Sequence, residues 1–237
     1  MITAIGDNDA GGIASNSAAG AHFGYSFLWV LLVITIALTV ILDMCAKMGV
    51  VTGKGLMDLI RENYGLRWST FAITCLFVAN LAAVISNFGG IAGSLEILGI
   101  SRYLGLPLLT MAIWILLYWG SYKVVERSLL VISLVVLSYV GSAFLAKPDW
   151  GLVLRQSFFP SIQLSPDYLM LVVAFVGTTI APWMLFFIQS MYVDKGIPIK
   201  HLRFVRWEVW LSSFLTDYAI SFFIIVACAA TLYKHSI

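Results

Sequence analysis

Gly6-Asp7-Asn8-Asp9-Ala10-Gly11-Gly12 opens the first apolar stretch of this chain, and Gly177-Thr178-Thr179-Ile180-Ala181-Pro182 interrupts the middle of a later one. Neither belongs in a regular membrane helix. Pro182 has no backbone N–H to give to the preceding turn and its ring crowds that turn, while Gly177 lowers the cost of unwinding. The first stretch places two carboxylates, Asp7 and Asp9, among glycines ahead of a small-residue helix over Ile13 to Ala21. Unwound backbone at membrane depth is tolerated where it is buried in protein or lines a wet cavity, and its carbonyls and half-helix ends are then ion ligands. Broken segments at matching positions, here first and sixth, point to a transport site. Each break taken alone reads as an ordinary glycine or proline kink; the pair together with Asp9 reads as a site.

The sequence around these breaks is membrane sequence. Of 237 residues, 61% are hydrophobic and 11% are charged, against about half and about a quarter in soluble domains. That excludes a soluble enzyme, a disordered chain, a basic nucleic-acid-binding protein and a disulfide-rich secreted module, and a net charge of +2 calls for no acidic partner. Cys45, Cys75 and Cys228 lie in or beside apolar runs without CxxC spacing and read as small hydrophobes. Runs free of Asp, Glu, Lys and Arg extend over 10–42, 68–95, 103–122, 128–146 and 168–193, and a run over 209–233 holds only Asp217. About 20 apolar residues cross a bilayer, so the first run divides, near Gly24, into a short segment and a helix from Ser26 to Ala46. Seven segments result. No secretory signal peptide is expected here, since no basic n-region precedes the first run and Asp7 and Asp9 sit where apolar residues should be.

Ten of the fourteen basic residues fall in alternate loops: Lys47, Lys54, Arg61 and Arg67; Lys123 and Arg127; Lys195, Lys200, Arg203 and Arg206. The positive-inside rule makes those loops, and the amino terminus, cytoplasmic, in an integral protein of the cell membrane. Gly55–Tyr64 carries Leu56, Leu59 and Ile60 against Asp58, Arg61 and Glu62, the pattern of an amphipathic helix on the inner surface. Carboxylates inside the bilayer are functional candidates by default. Asp43 stands one turn before Lys47, a spacing that predicts a structural pair. Asp217 lies mid-segment with Ser213, Thr216 and Ser221 near it, and hydrogen bonding and a polar pathway remain equal readings. Asn80, Ser86 and Asn87 read more readily as interhelical hydrogen-bond partners than as ligands.

Asp9-Ala10-Gly11-Gly12-Ile13-Ala14-Ser15, followed by Ala19-Gly20-Ala21-His22-Phe23-Gly24-Tyr25 and Leu28-Trp29-Val30-Leu31, resembles the first two helices of the natural resistance-associated macrophage protein (Nramp) transporters, whose first helix breaks at Asp-Pro-Gly-Asn. Gly49-Val50-Val51-Thr52-Gly53-Lys54 resembles that family's cytoplasmic loop, and Ala181-Pro182 falls at its Met-Pro-His. The resemblance implies an all-α, leucine-transporter-type fold: two inverted five-helix repeats with a divalent metal between broken helices one and six. On that frame residues 1–146 form the first repeat, lacking the start of helix one, and 147–237 begin the second with helices six and seven, within a single transmembrane domain.

The resemblance also implies the site and its departures. Asp9 matches the family aspartate. Gly12 stands for the asparagine ligand, Ala181 for the methionine and Trp183 for the histidine, while Asn80 and Ala83 fall where proton-coupled members carry acids. This resembles the divergent magnesium- and manganese-associated branch. The implied ion ligands are the Asp9 carboxylate and the backbone carbonyls of Gly6 and Thr178; Asn80, and Asp7 and Thr179, which match no family motif position, are read as outer groups. The expectation is transport of Mg2+ or Mn2+ as substrate, without proton coupling, cofactor, nucleic acid or obligate protein partner, in contact with membrane lipid. The alternatives are a proton-coupled Mn2+/Fe2+ symporter, an organic-solute transporter, and an intramembrane aspartyl protease using Asp9 and Asp217, whose usual Tyr-Asp and Gly-x-Gly-Asp contexts are absent.

Overall fold

The computed structural model describes residues 9–120, 128, 134–161 and 165–233, and among them all regular structure is helical. Helix α1 (Ala10–Phe23) ends at Gly24, whose φ of +60° suits a residue without Cβ, and a short 3-10 turn (Gly24–Phe27) leads into α2 (Leu28–Thr52). The 43 residues from Ala10 to Thr52 would measure about 65 Å as one straight helix, about twice the hydrocarbon thickness; the interruption at Gly24 makes two segments of them, where the sequence divides them. Next come α3 (Leu56–Tyr64), the expected amphipathic helix, α4 (Leu66–Ile97) and α5 (Arg102–Trp119). A 3-10 turn over Leu134–Leu137 opens α6 (Ser138–Leu145). Then follow α7 (Trp150–Phe158), α8 (Pro166–Thr179), α9 (Pro182–Asp194), α10 (Leu202–Ser212), a π-turn over Ser213–Tyr218 and α11 (Ala219–Thr231). Helix α7 is absent from the sequence reading. Its start is capped by the Asp149 carboxylate, which accepts from the amides of Gly151 and Leu152.

Five helical stretches among the described residues are long and apolar enough to cross a membrane. Residues such as Phe77, Leu81 and Ile85 of α4 are exposed, and in the most apolar window of α4 none is buried. An apolar surface of that length suits lipid rather than water.

The interior divides into two apolar clusters. In one, Phe27 at the head of α2 stands edge-on to Tyr168 and Phe175 of α8, at ring distances of 5.4 and 5.2 Å, with Ala19 of α1 and Ile225 of α11 buried around them. In the other, Leu38, Leu42, Ala46 and Val50 further along α2 pack on Met184 and Tyr192 of α9 and on Val205 and Val209 of α10. Two glycines permit close helix contact. A Cβ at Gly20 would lie 2.5 Å from the Ile225 carbonyl oxygen of α11, and one at Gly49 would lie 2.8 Å from the Gln189 carbonyl oxygen of α9.

Asp43 does not use the helical partner its sequence context predicts. Its carboxylate takes the Arg206 Nε of α10 at 2.9 and 3.1 Å, so the local i,i+4 pairing gives way to a cross-helix pair with better geometry. Asp43→Asn should therefore lower the melting temperature of the purified protein and its yield, with uptake per folded molecule unchanged. Combined with Arg206→Gln it should add little further loss. Fully additive losses would show that the pair does not couple the helices.

Candidate metal centre

The site forms where the start of α1 meets the end of α8. Asp9 is in extended conformation (φ −79°, ψ 169°) and caps α1: its Oδ1 accepts the Gly12 amide at 2.6 Å and its carbonyl accepts the Ile13 amide at 3.0 Å. A carboxylate has about four lone-pair sites, so this single amide contact leaves capacity for a cation. The next amide, of Ala10, donates to Asn87 Oδ1 of α4 at 3.0 Å, and Gly90 lies against it so closely that a Cβ there would sit 2.5 Å from the Ala10 Cβ. Helix α4 thus fixes where Asp9 stands, with Asn87 in the interhelical role its sequence position suggests.

Helix α8 brings a different resource. Its end is set by Pro182: the helical donor to the Thr178 carbonyl would be the amide of residue 182, and proline has none. A helix C-terminus carries unsatisfied carbonyls and partial negative charge, which favours a cation. The Thr178 hydroxyl donates back to the Phe175 carbonyl at 3.1 Å and lies 3.4 Å from Ser15 Oγ of α1.

These elements enclose a polar cavity of about 20 Å³, room for about one water-sized species. Asp9, Gly12, Ser15 and Asn16 of α1 line one side, and Phe175, Thr178 and Thr179 of α8 another. The third wall is Asp217 of the π-turn and Ser221 of α11. Asn16 Nδ2 donates to Ser221 Oγ at 3.0 Å, joining α1 to α11.

The structure therefore brings together Asp9, Gly12, Thr178 and Thr179 from the sequence reading. It does not bring Ala181 or Asn80 into this wall. Ala181 is the extended residue before α9 (φ −72°, ψ 129°), displaced by the very break that exposes the Thr178 carbonyl. Asn80 is two turns from the Asn87 contact along α4. Gly6 and Asp7 lie outside the described residues. Trp183, at the family's histidine position, packs in the apolar cluster of α9. Ser15 and Asn16 line the cavity although the sequence reading passes over them, and Ser221, read there only as a neighbour of Asp217, lines it too. The spacing of 9, 12 and 16 along one helical face is the signal that finds the α1 members. Asp217 moves from an open reading to the cavity wall. Asp9 and Asp217, the pair a protease reading would use, line one cavity, but a 20 Å³ space does not admit a peptide strand. No cluster of three or more His, Cys, Asp or Glu side chains occurs among the described residues, so the oxygens here are mostly neutral ones.

Several known proteins are similar to this chain in sequence or in fold. The divalent metal cation transporter MntH of Caldanaerobacter subterraneus subsp. tengcongensis is 26% identical across the whole chain, which covers 58% of that protein. The protein of the same name from Bacillus subtilis gives the same three values, and that of Brucella suis is 28% identical over 83% of this chain and 43% of its own. All three are named as transporters, not enzymes. The crystal structure of the Eremococcus coleocola manganese transporter in complex with an aromatic bis-isothiourea substituted compound matches with a TM-score of 0.76 at 21% identity, over 95% of this chain and 49% of that one. That likeness is one of fold, and it bears out the leucine-transporter-type architecture. The chain spans about half the length of the curated relatives it matches. The sequence profile described as natural resistance-associated macrophage protein-like matches residues 1–237, and the chain belongs to that family.

Proposed function

We propose that this chain carries the ion-binding part of a membrane transporter that moves Mg2+ and Mn2+ by alternating access, down their gradients and without obligatory proton movement. The observation that carries the reading is the Asp9 carboxylate at the rim of a small oxygen-lined cavity, opposite the donor-less Thr178 carbonyl. Oxygen ligands suit magnesium, calcium and manganese, whereas thioether sulfur favours softer metals. Ala181 stands where the resembled family has methionine, and it offers no sulfur. A cavity for one water-sized species holds a largely dehydrated ion, so entry and exit require its walls from α1, α8 and α11 to part around it. The loop charges support a cell-membrane protein with a cytoplasmic amino terminus.

The absence of titratable side chains at Trp183, Asn80 and Ala83 supports uncoupled conduction. A second reading, proton-coupled Mn2+ or Fe2+ symport, is favoured by Asp217, a titratable group in the cavity wall. The two part in one experiment. Proteoliposomes of the full-length protein with a pH-sensitive dye inside should take up Mn2+ and Mg2+ with no acidification. Metal-dependent acidification, or Fe2+ and Cd2+ preferred over Mg2+, selects the symport reading.

A further inference from the structure

Resting on the ion site at Asp9, we propose that Asp217 and Asn16 are direct ligands of the transported ion, so that a divalent cation is held between two carboxylates with the Asn16 amide oxygen as a neutral ligand. Three observations converge. Asp217 and Asp9 line the same cavity of about 20 Å³, although they come from opposite ends of the chain. Asn16 is 3% exposed, its Nδ2 is committed to Ser221 Oγ, and its Oδ1 is buried with no donor among the described residues. An interhelical hydrogen bond explains the nitrogen of that amide and leaves its oxygen unexplained. An acceptor held rigid, buried and lacking a donor beside two carboxylates is suited to a cation. Finally, Asp217 sits in the π-turn Ser213–Tyr218, and single π-turns inside α-helices occur frequently at functional sites. Ser221 lies four residues on, on the same helical face, and positions Asn16.

The chemistry follows from charge. Two carboxylates lining so small a space repel one another, and a cation between them relieves that repulsion. A doubly charged ion is attracted to the pair about twice as strongly as a monovalent one at the same distance. The second wall therefore selects divalent over monovalent cations, and its all-oxygen donor set accepts Mn2+ and Mg2+ alike.

The test is Mn2+ binding to the purified full-length protein, followed by loss of the free-ion EPR signal and by competition with Mg2+. Asp217→Asn should weaken Mn2+ at least as much as loss of an outer partner does in metal sites, about 10–100-fold, and should change the line shape of bound Mn2+. Asp217→Glu should recover most of the affinity, and Asn16→Ala should weaken it about tenfold. Wild-type affinity and line shape in Asp217→Asn, while Asp9→Asn abolishes binding, overturn this proposal and leave the site at Asp9 standing. Wild-type affinity in Asp9→Asn overturns the site itself. Should Asp217→Asn give no folded protein, Asn16→Ala decides, and unchanged Mn2+ affinity there overturns the proposal.

Discussion

Asp9→Asn in the full-length protein is expected to abolish saturable Mn2+ and Mg2+ uptake while leaving the fold intact. Asp9 does two things at once: its Oδ1 caps α1 through the Gly12 amide, and its carboxylate faces the cavity. Asp9→Ala removes both, and loss of a cap alone costs about 1 kcal/mol. Asparagine caps a helix as well as aspartate does, so Asp9→Asn keeps the start of α1 and removes only the charge. Uptake at low metal concentration should fall by more than about 100-fold, the upper end of what loss of a partner costs in metal sites. Thermal stability in detergent should stay near wild type for Asp9→Asn and drop for Asp9→Ala. Uptake with an unchanged concentration dependence in Asp9→Asn would falsify the site.

The second large effect is structural. Gly20→Val should leave little folded protein. The added Cβ alone would meet the Ile225 carbonyl oxygen at 2.5 Å, the Cys228 Cβ at 2.8 Å and the Ala229 amide at 3.1 Å. Two of these three atoms are backbone, so no rotamer change relieves the contact and α1 must move off α11. Overpacking in cores costs about 1–3 kcal/mol even where side chains can adjust, and here they cannot. Helices α1 and α11 also carry opposite walls of the cavity, so residual folded protein should bind Mn2+ poorly. Size-exclusion profiles and melting curves check this. Gly53→Ala is the control: a Cβ there meets nothing within 4 Å, and the cost is only that of a positive φ.

The two breaks were legible because glycine and proline act locally. Pro182 ends α8 whatever surrounds it, and the glycine-rich start of α1 needs no neighbour to be read. The membrane segments were legible for a similar reason, since length and charge spacing are properties of the chain alone. Which faces meet is not such a property. Asn16 sits in a run of small residues, where a lone amide reads as helix packing; only its meeting with Ser221, 205 residues on, places it in a cavity. Asp217 reads equally as hydrogen-bonded to nearby serines and threonine or as part of a polar pathway, and only the packing of α1 against α11 puts it in a cavity wall. Asp43 misled in the same way, because the near partner Lys47 is visible in sequence and the distant Arg206 is not. Ala181, matched by resemblance to a ligand position, lies outside the cavity wall, whereas Thr178 is part of it.

The division of the interior into two clusters has a mechanical meaning. The halves of the sixth segment belong to different bodies: α8 is keyed by Tyr168 and Phe175 to the aromatic group at the head of α2, and α9 by Met184 and Tyr192 to the far end of α2. Ile180, beside the break, touches both clusters. The α9 half is further latched by Gln189, fully buried, whose Nε2 donates to the Lys54 carbonyl at 2.9 Å. A displacement of either body can thus be taken up at Ile180-Ala181 without unpacking the other, with α2 as the common spine. The joint that leaves the Thr178 carbonyl without a helical donor is also the fulcrum on which the two bodies would swing.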